Sequence, residues 1–221
     1  MIEIRDYYDR YWADPLHAPP SCDPTTPVRK MRLQAALRDL PPKARILDVG
    51  CGVGEFADFL AQLGFVPVGL DLSANAVQCA RQRFPQYDFR VGGPELFAGE
   101  FAGQFQSAWV SEVLEHVFDV YGFLTAVHQC LAPGGRIVLT MPYHGLLKNL
   151  VLDFANYARH YQPFGGHIRF FNKPSLKNCL NVCGFSPRKW SGIGRPWPFY
   201  KSFFVVAEKT HEPLPRPPAN S

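Results

Sequence analysis

Residues 46–56 read Ile-Leu-Asp-Val-Gly-Cys-Gly-Val-Gly-Glu-Phe. An apolar run passes straight into a helical pattern through three alternating glycines, Gly50, Gly52 and Gly54. Glycines at such a junction permit a tight turn and let a ligand approach the backbone closely. The same strand-then-helix rhythm continues downstream. Residues 44–49 are a short buried-strand run, and Phe56, Phe59, Leu60 and Leu63 share one helix face within 53–63. Gly64 is placed to cap that helix, and Ser73 to start another through Arg83. Strand patterns recur at 66–70, 87–91, 107–111 and 136–141, with a helix expected over 118–131. Strands alternating with helices imply βαβ units, hence a doubly wound, mostly parallel α/β sheet with helices on both faces.

After Pro142 the rhythm changes. Leu146, Leu147, Leu150, Val151, Phe154, Tyr157 and Tyr161 form a helical apolar stripe, read as an insertion over residues 145–171 following the fifth strand. The stripe is longer than a connector needs, and the insertion is expected to cover an acceptor site. Asn172 and Pro174 open a further helix ending near Gly184. Strand patterns at 185–190 and 202–207 bring the expected sheet to seven strands. A length of 221 residues suits one large domain, placed at 44–210. Residues 1–43 read as a helical and irregular cap segment, with an aromatic stretch (Tyr7, Tyr8, Tyr11, Trp12) and a helix allowed from Val28 to Leu40. The segment 211–221 carries Pro213, Pro215, Pro217 and Pro218 and is expected to be a disordered tail.

An apolar fraction of 47% rules out wholesale disorder. No uncharged apolar run approaches the ~20 residues of a membrane span, and the charged N-terminus lacks a signal-peptide core, so a cytoplasmic protein is expected. The six cysteines form no Cys-x-x-Cys pair and read as reduced thiols. Cys179 and Cys183, four residues apart without nearby histidines, make no zinc case. The net charge of +4 hides an asymmetry. Residues 1–141 carry 12 basic and 16 acidic groups, whereas residues 142–221 carry 11 and 3. The basic part would suit an anionic substrate, an anionic membrane surface bearing an apolar one, or only solvent.

Two cofactor classes compete for the glycine loop. A dinucleotide would set its pyrophosphate on the helix N-terminus, yet Glu55 stands there and Asp48 precedes the loop. S-adenosylmethionine has no phosphate and carries an ammonium and a sulfonium, so an acidic loop complements it. Asp71 ends the next strand, 21 residues after Gly50, where a carboxylate can accept both hydroxyls of a ribose.

With these features the chain resembles the class I S-adenosylmethionine-dependent methyltransferases, with their Rossmann-like fold. The likeness rests on Leu47-Asp48-Val49-Gly50-Cys51-Gly52-Val53-Gly54, Val68-Gly69-Leu70-Asp71-Leu72-Ser73, Glu112-Val113-Leu114-Glu115-His116-Val117 and Leu131-Ala132-Pro133-Gly134-Gly135. Within the family it is similar to the ubiquinone-biosynthesis O-methyltransferase-like branch. Gly166-His167-Ile168-Arg169-Phe170-Phe171-Asn172-Lys173-Pro174-Ser175-Leu176 extends that likeness. The resemblance implies that Gly50, Cys51, Gly52 and Gly54 lie along the cofactor's methionine and ribose. It implies Asp48 at the ammonium, Asp71 on the ribose, Leu72 on the adenine, Ser111 beside the methionine portion and Arg29 at the cofactor carboxylate. The sequence departs from the family where an acid often follows the third strand. Gly92-Gly93-Pro94 stands there, with Glu95 close by. Gln106 replaces an acid near the start of the fourth strand.

Methyl transfer from a sulfonium chiefly requires alignment and exclusion of water. A hydroxyl acceptor also needs its proton removed, which favours a nearby histidine or carboxylate. His116, after the fourth strand, is the first catalytic candidate. His144, after the fifth, is the second. Tyr143, His167 and Arg169 are candidates for substrate contact. The acid-rich Glu112–His116 stretch lacks a second histidine one helical turn away, so no metal is expected. The expected enzyme is a methyltransferase acting on a small-molecule acceptor, anionic or apolar, with oxygen the expected methyl position and nitrogen and carbon left open. A nucleic-acid or protein methyltransferase, or a non-catalytic cofactor-binding protein, is the alternative. No Lys/Arg run interleaved with aromatics marks a nucleic-acid path. Oligomeric state is not legible.

Overall fold

Along residues 45–49 neighbouring side chains face opposite ways. Ile46 enters one apolar cluster, while Leu47 and Val49 enter another across the sheet. Ala108 and Val110 alternate in the same way with Trp109, and Ile137, Leu139 and Met141 with Val138. Burial on both faces at period two is the signature of a sheet covered by helices on each side. The computed structural model describes residues 4–13, 23–150, 154 and 168–218.

Seven strands form one sheet: β1 (Arg45–Val49), β2 (Val66–Asp71), β3 (Asp88–Val91), β4 (Phe105–Ser111), β5 (Leu131–Pro142), β6 (Phe185–Ile193) and β7 (Ser202–Lys209). Their order is β3-β2-β1-β4-β5-β7-β6. β3 to β5 pair parallel with their neighbours, whereas β7 runs antiparallel to both β5 and β6. The sheet is therefore mostly parallel, as expected. The strand order reverses between β1 and β4, so the crevice at their carboxyl ends is where this architecture places ligands.

The helices are α1 (Ile4–Ala13), α2 (Thr26–Leu37), α3 (Glu55–Gln62), α4 (Ala74–Arg83), α5 (Pro94–Phe97), α6 (Val120–Cys130) and α7 (Lys173–Val182). Leu33 and Leu37 of α2 and Leu60 of α3 cover one face. Phe123, Leu124 and Val127 of α6 and Leu176 and Leu180 of α7 cover the other. Caps set several boundaries. α3 begins at Glu55 rather than Val53 because Gly54, at φ 84°, holds the turn open until then. Ser73 caps α4 by accepting from the Ala76 amide at 3.2 Å. α6 starts at Val120 because Asp119 accepts from the Gly122 amide at 3.0 Å. Asn172 and Ser175 close a capping box on α7.

Two expectations for the C-terminal half meet different outcomes. Residues 146–150 are helical, with Leu146 76% exposed and Leu147 and Leu150 also exposed. Phe154, also helical, is exposed as well, while Val151, Tyr157, Tyr161 and His167 lie outside the described residues. Within the expected tail, residues 211–218 are described and make contacts with the domain. Leu214 donates its amide to the Val182 carbonyl at 2.8 Å and accepts from the Tyr121 hydroxyl at 2.8 Å. Prolines remove donors but leave carbonyls and intervening residues free to bond, so a proline-rich strap can dock without secondary structure.

The core away from the crevice is dense. Phe105, fully buried, meets the Phe101 ring edge-on at 5.3 Å, and the Arg45 guanidinium lies over it at 4.8 Å. Phe105→Ala should cost about 3–5 kcal/mol. Urea unfolding measures the loss, and a loss below about 1 kcal/mol would show that the site collapses around the void.

Candidate functional site

The loop after β1 is shaped by positive φ at Gly50 (74°), Gly52 (52°) and Gly54 (84°). Each glycine is also crowded. A Cβ on Gly50 would collide with Val113, one on Gly52 would come within 3.0 Å of Trp12, and one on Gly54 within 2.8 Å of Phe89. The Gly50 and Cys51 amides donate to the Leu70 carbonyl at 2.8 and 3.0 Å, tying the loop to the end of β2.

A cavity of about 670 Å³ opens above this loop. Asp48, Gly50, Cys51, Gly52, Asp71, Leu72, Ser111 and Arg29 all lie on its wall, with His116. Asp71 accepts from the Gly52 amide at 2.9 Å and from the Ser73 amide at 2.9 Å, which fixes its carboxylate at the end of β2. Burial pushes its pKa up, opposed by those amides. Arg29 is buried. It donates to the Thr25 hydroxyl at 2.9 Å, to Ser111 at 3.2 Å and to Asp23. Ser111 and Thr140 share a further hydrogen bond of 2.9 Å. Gly54 is the one glycine of the loop off the wall. It acts instead as the cap of α3.

Carboxylates dominate the electrostatics. Asp48 is 1% exposed, and its Oδ2 has no hydrogen-bond partner among the described residues. Burial and then the charge of Asp71 raise its pKa to about 8. Glu112, on the wall at the end of β4, has left-handed backbone at φ 53°. Its Oε2 accepts from Ser202 at 3.3 Å, its Oε1 has no described partner, and burial raises its pKa. Glu115, 1% exposed, lies behind the wall in the 3-10 turn Leu114–His116 with neither oxygen hydrogen-bonded among the described residues. Burial and the charge of Glu112 raise its pKa to about 9. Its Oε1 is 3.8 Å from His116 Nε2. A left-handed non-glycine residue beside unpaired buried acids marks strain retained at a site.

Several wall residues were not anticipated. Tyr8, Tyr11 and Trp12 of α1 roof the cavity, and the Tyr8 ring meets His116 edge-on at 5.8 Å. Asp9 fastens α1 to the start of α4, accepting from Ser73 Oγ at 2.6 Å. Only the aromatic cluster at 7–12 hinted at this. Glu95, Phe118 and Asp119 line the opposite end near Leu72. Glu95 thus occupies the neighbourhood of the acid that the family shows after the third strand.

The second set of sequence candidates is not on this wall. His144 is buried against Phe170, their rings 4.9 Å apart. Tyr143 packs on Phe203 and Tyr200 at 4.8 and 5.6 Å. Both follow β5, but its antiparallel partner β7 and the following segment draw them into an aromatic cluster. Arg169 donates to the Phe118 carbonyl at 2.7 Å and stands outside the cavity. His167 lies outside the described residues. Among the described residues, no group of three or more His, Cys, Asp or Glu side chains is arranged to hold a metal ion, and no helix is long and apolar enough to cross a membrane.

A family model for a methyltransferase domain matches residues 26–189. The ubiquinone biosynthesis O-methyltransferase of Xanthomonas axonopodis pv. citri is 35% identical over 202 residues, covering 86% of this chain and 81% of its own. The corresponding enzyme of Xanthomonas oryzae pv. oryzae is 35% identical over 178 residues, covering 76% and 71%. Among solved structures, the 1,6-didemethyltoxoflavin-N1-methyltransferase of Burkholderia thailandensis, with bound S-adenosylhomocysteine, aligns at TM-score 0.71 and 18% identity over 94% of this chain and 87% of its own. The magnesium protoporphyrin IX methyltransferase of Synechocystis aligns at 0.69 and 19% over 94% and 98%.

The buried acids make a stability prediction. Glu115 has its pKa raised in the folded chain, so folding favours the protonated form. Its stabilising effect is complete below about 4.5 and is lost as pH rises towards about 9. Glu115→Gln cannot ionise. Its melting temperature relative to the parent chain should therefore climb from pH 5 to pH 9. Parallel melting-temperature curves over that range would refute the burial of an uncompensated acid.

Proposed function

Because the chain belongs to the family of S-adenosylmethionine-dependent methyltransferases, we propose that it methylates a hydroxyl oxygen of a small, largely apolar ring acceptor. The observation that carries this is one cavity holding the glycine loop and Asp71 together with His116 under an aromatic roof. The relatives named as ubiquinone biosynthesis O-methyltransferases support an oxygen acceptor.

The wall fits the cofactor by its own chemistry. Asp48 offers an unpartnered buried oxygen, and Gly50, Cys51 and Gly52 line the cavity beside it. The wall carries Asp48, Glu55, Asp71, Glu95, Glu112 and Asp119 against Arg29. Such a surface suits a ligand with an ammonium and a sulfonium and repels a pyrophosphate. Bound S-adenosylmethionine supplies a methyl group on a good sulfur leaving group. In this reading Asp48 binds the ammonium and Arg29, steadied by Ser111, the carboxylate. Asp71 binds the ribose, while Leu72 and Glu95 border the adenine. The same acidic wall disfavours an anionic acceptor and favours a neutral hydroxyl on an apolar frame. The basic C-terminal part of the chain is then left to an anionic membrane surface or to solvent alone.

His116 is assigned the acceptor's proton. With its pKa raised to about 9, Glu115, 3.8 Å away, is mostly protonated at pH 7 and adds no charge beside the ring. The roof residues Tyr8, Tyr11 and Trp12 exclude water. Turnover with labelled methyl donor against phenols, catechols, amines and carboxylic acids tests the reading. Ring hydroxyls should be methylated, and His116→Ala should lower kcat by about 10²–10⁴ with donor affinity unchanged. Methyl incorporation only at nitrogen or carbon would defeat it.

Asp48 gives an independent check. With a pKa of about 8 it is mostly protonated at pH 7, and an incoming ammonium favours the carboxylate. Binding of S-adenosylhomocysteine at pH 7 should release up to about one proton. The release shows as an enthalpy difference between phosphate and Tris calorimetry. Asp48→Asn should abolish that difference and weaken binding. Equal enthalpies in both buffers for the parent chain would place the ammonium elsewhere.

A further inference from the structure

From the end of β7 the chain turns back and runs the length of α6, bonding at each step. Lys209 Nζ donates to the His128 and Leu131 carbonyls, both at 2.8 Å, at the carboxyl end of α6. The His211 carbonyl lies 2.9 Å from His128 Nε2, and Leu214 is held between Val182 and Tyr121. At the amino end of α6, Arg216 donates to Asp119 Oδ2 at 2.5 Å, its guanidinium 4.9 Å from the Tyr121 ring centre. The strap therefore finishes on the residue that both caps α6 and lines the cavity.

That rim is held from two sides. Arg169 donates to the Phe118 carbonyl and lies over the Phe118 ring at 5.7 Å, while Arg216 holds Asp119. Phe118 is 80% exposed yet forms part of the wall. Glu95 lines the same cavity; burial chiefly raises its pKa, and the charge of Asp119 adds to the rise. Like charges on one wall repel, and Arg216 offsets that of Asp119 from outside the cavity. The Arg216–Asp119 pair is half exposed, so it contributes little to global stability, and its effect is local.

We propose that Arg216, carried by the strap over residues 209–216, is a positioning residue for cofactor retention, holding the Phe118–Asp119 rim against the Leu72–Glu95 end of the cavity. The proposal rests on the reading above in which that end borders the adenine. Without Arg216, Asp119 still caps α6 through Gly122 but is pushed from Glu95, and the rim loosens.

The test uses the full chain with S-adenosylhomocysteine as the probe. Arg216→Ala should speed its dissociation about five- to tenfold in stopped-flow displacement. Amide hydrogen exchange over residues 117–122 should rise while the strands of the sheet and the melting temperature stay unchanged. Arg216→Lys, which keeps a cation within reach, should recover most of the parent rate. Glu95→Gln should also rescue Arg216→Ala by removing the opposing charge. Parent-like dissociation and exchange in Arg216→Ala would overturn the proposal. So would faster dissociation that accompanies a general fall in melting temperature, because the strap would then be only structural. Asp71→Ala separates the premise from the proposal. It should weaken binding about tenfold or more. If it does not, the placement of the cofactor fails. If it does and Arg216→Ala has no effect, the strap proposal alone fails.

Discussion

Three left-handed glycines wedged between neighbours are the constraint on which the site depends. Backbone at φ 74°, 52° and 84° carries the chain from β1 over the sheet edge into α3. The space each missing side chain leaves is taken by Val113 from beyond β4, Trp12 from α1 and Phe89 from β3. Strand, roof and neighbouring loop therefore approach within van der Waals distance of bare backbone. The Leu70 carbonyl, accepting two loop amides, locks this turn to β2 and so fixes where Asp71 stands relative to Gly52. The strand reversal between β1 and β4 makes a crevice, and the glycine turn makes it a cavity.

The wall then concentrates a charge that folding alone would not choose. Asp48, Glu112 and Glu115 are buried, with oxygens that no described group satisfies. Such groups cost stability unless protonated or paired. Their raised pKa values state that cost, and their position beside Arg29 and His116 states its use. Local destabilisation of this kind recurs where a ligand of opposite charge completes the pairing.

The sheet was legible because its signal is local and doubly reinforced. A short buried-strand run at 44–49 and 3.6-residue spacing at Phe56–Leu63 each predict one element, and the glycines mark the junction between them. Asp48, Asp71, Leu72 and Ser111 sit at or beside strand ends, where the same local signal reads, while Arg29 stands on α2. Tyr143 and His144 follow a strand end yet lie off the wall, because a strand end opens on the crevice only beside parallel neighbours. β5 borders antiparallel β7, and Phe203 claims Tyr143. Tyr8 and Trp12 escaped because their contacts with His116 and Gly52 join residues far apart in the chain. Proline content says nothing of the contacts over 211–218, which come from carbonyls and from Leu214, Tyr121 and Arg216.

The two halves of the cavity are consequently held by bonds of different strength. The floor is strand ends in register, with buried backbone hydrogen bonds on both flanks. The roof and rim are α1, fastened through Asp9 to Ser73, and Phe118–Asp119, fastened by two partly exposed arginines. Segments with few buried contacts and solvent-exposed polar fastenings open at lower free energy than the sheet beneath them. A methyl donor held in this cavity must still enter, and its product must still leave. The distribution of contacts makes α1 and the rim the elements that can part for this, while the glycine turn and Asp71 keep the register in which the next cofactor binds.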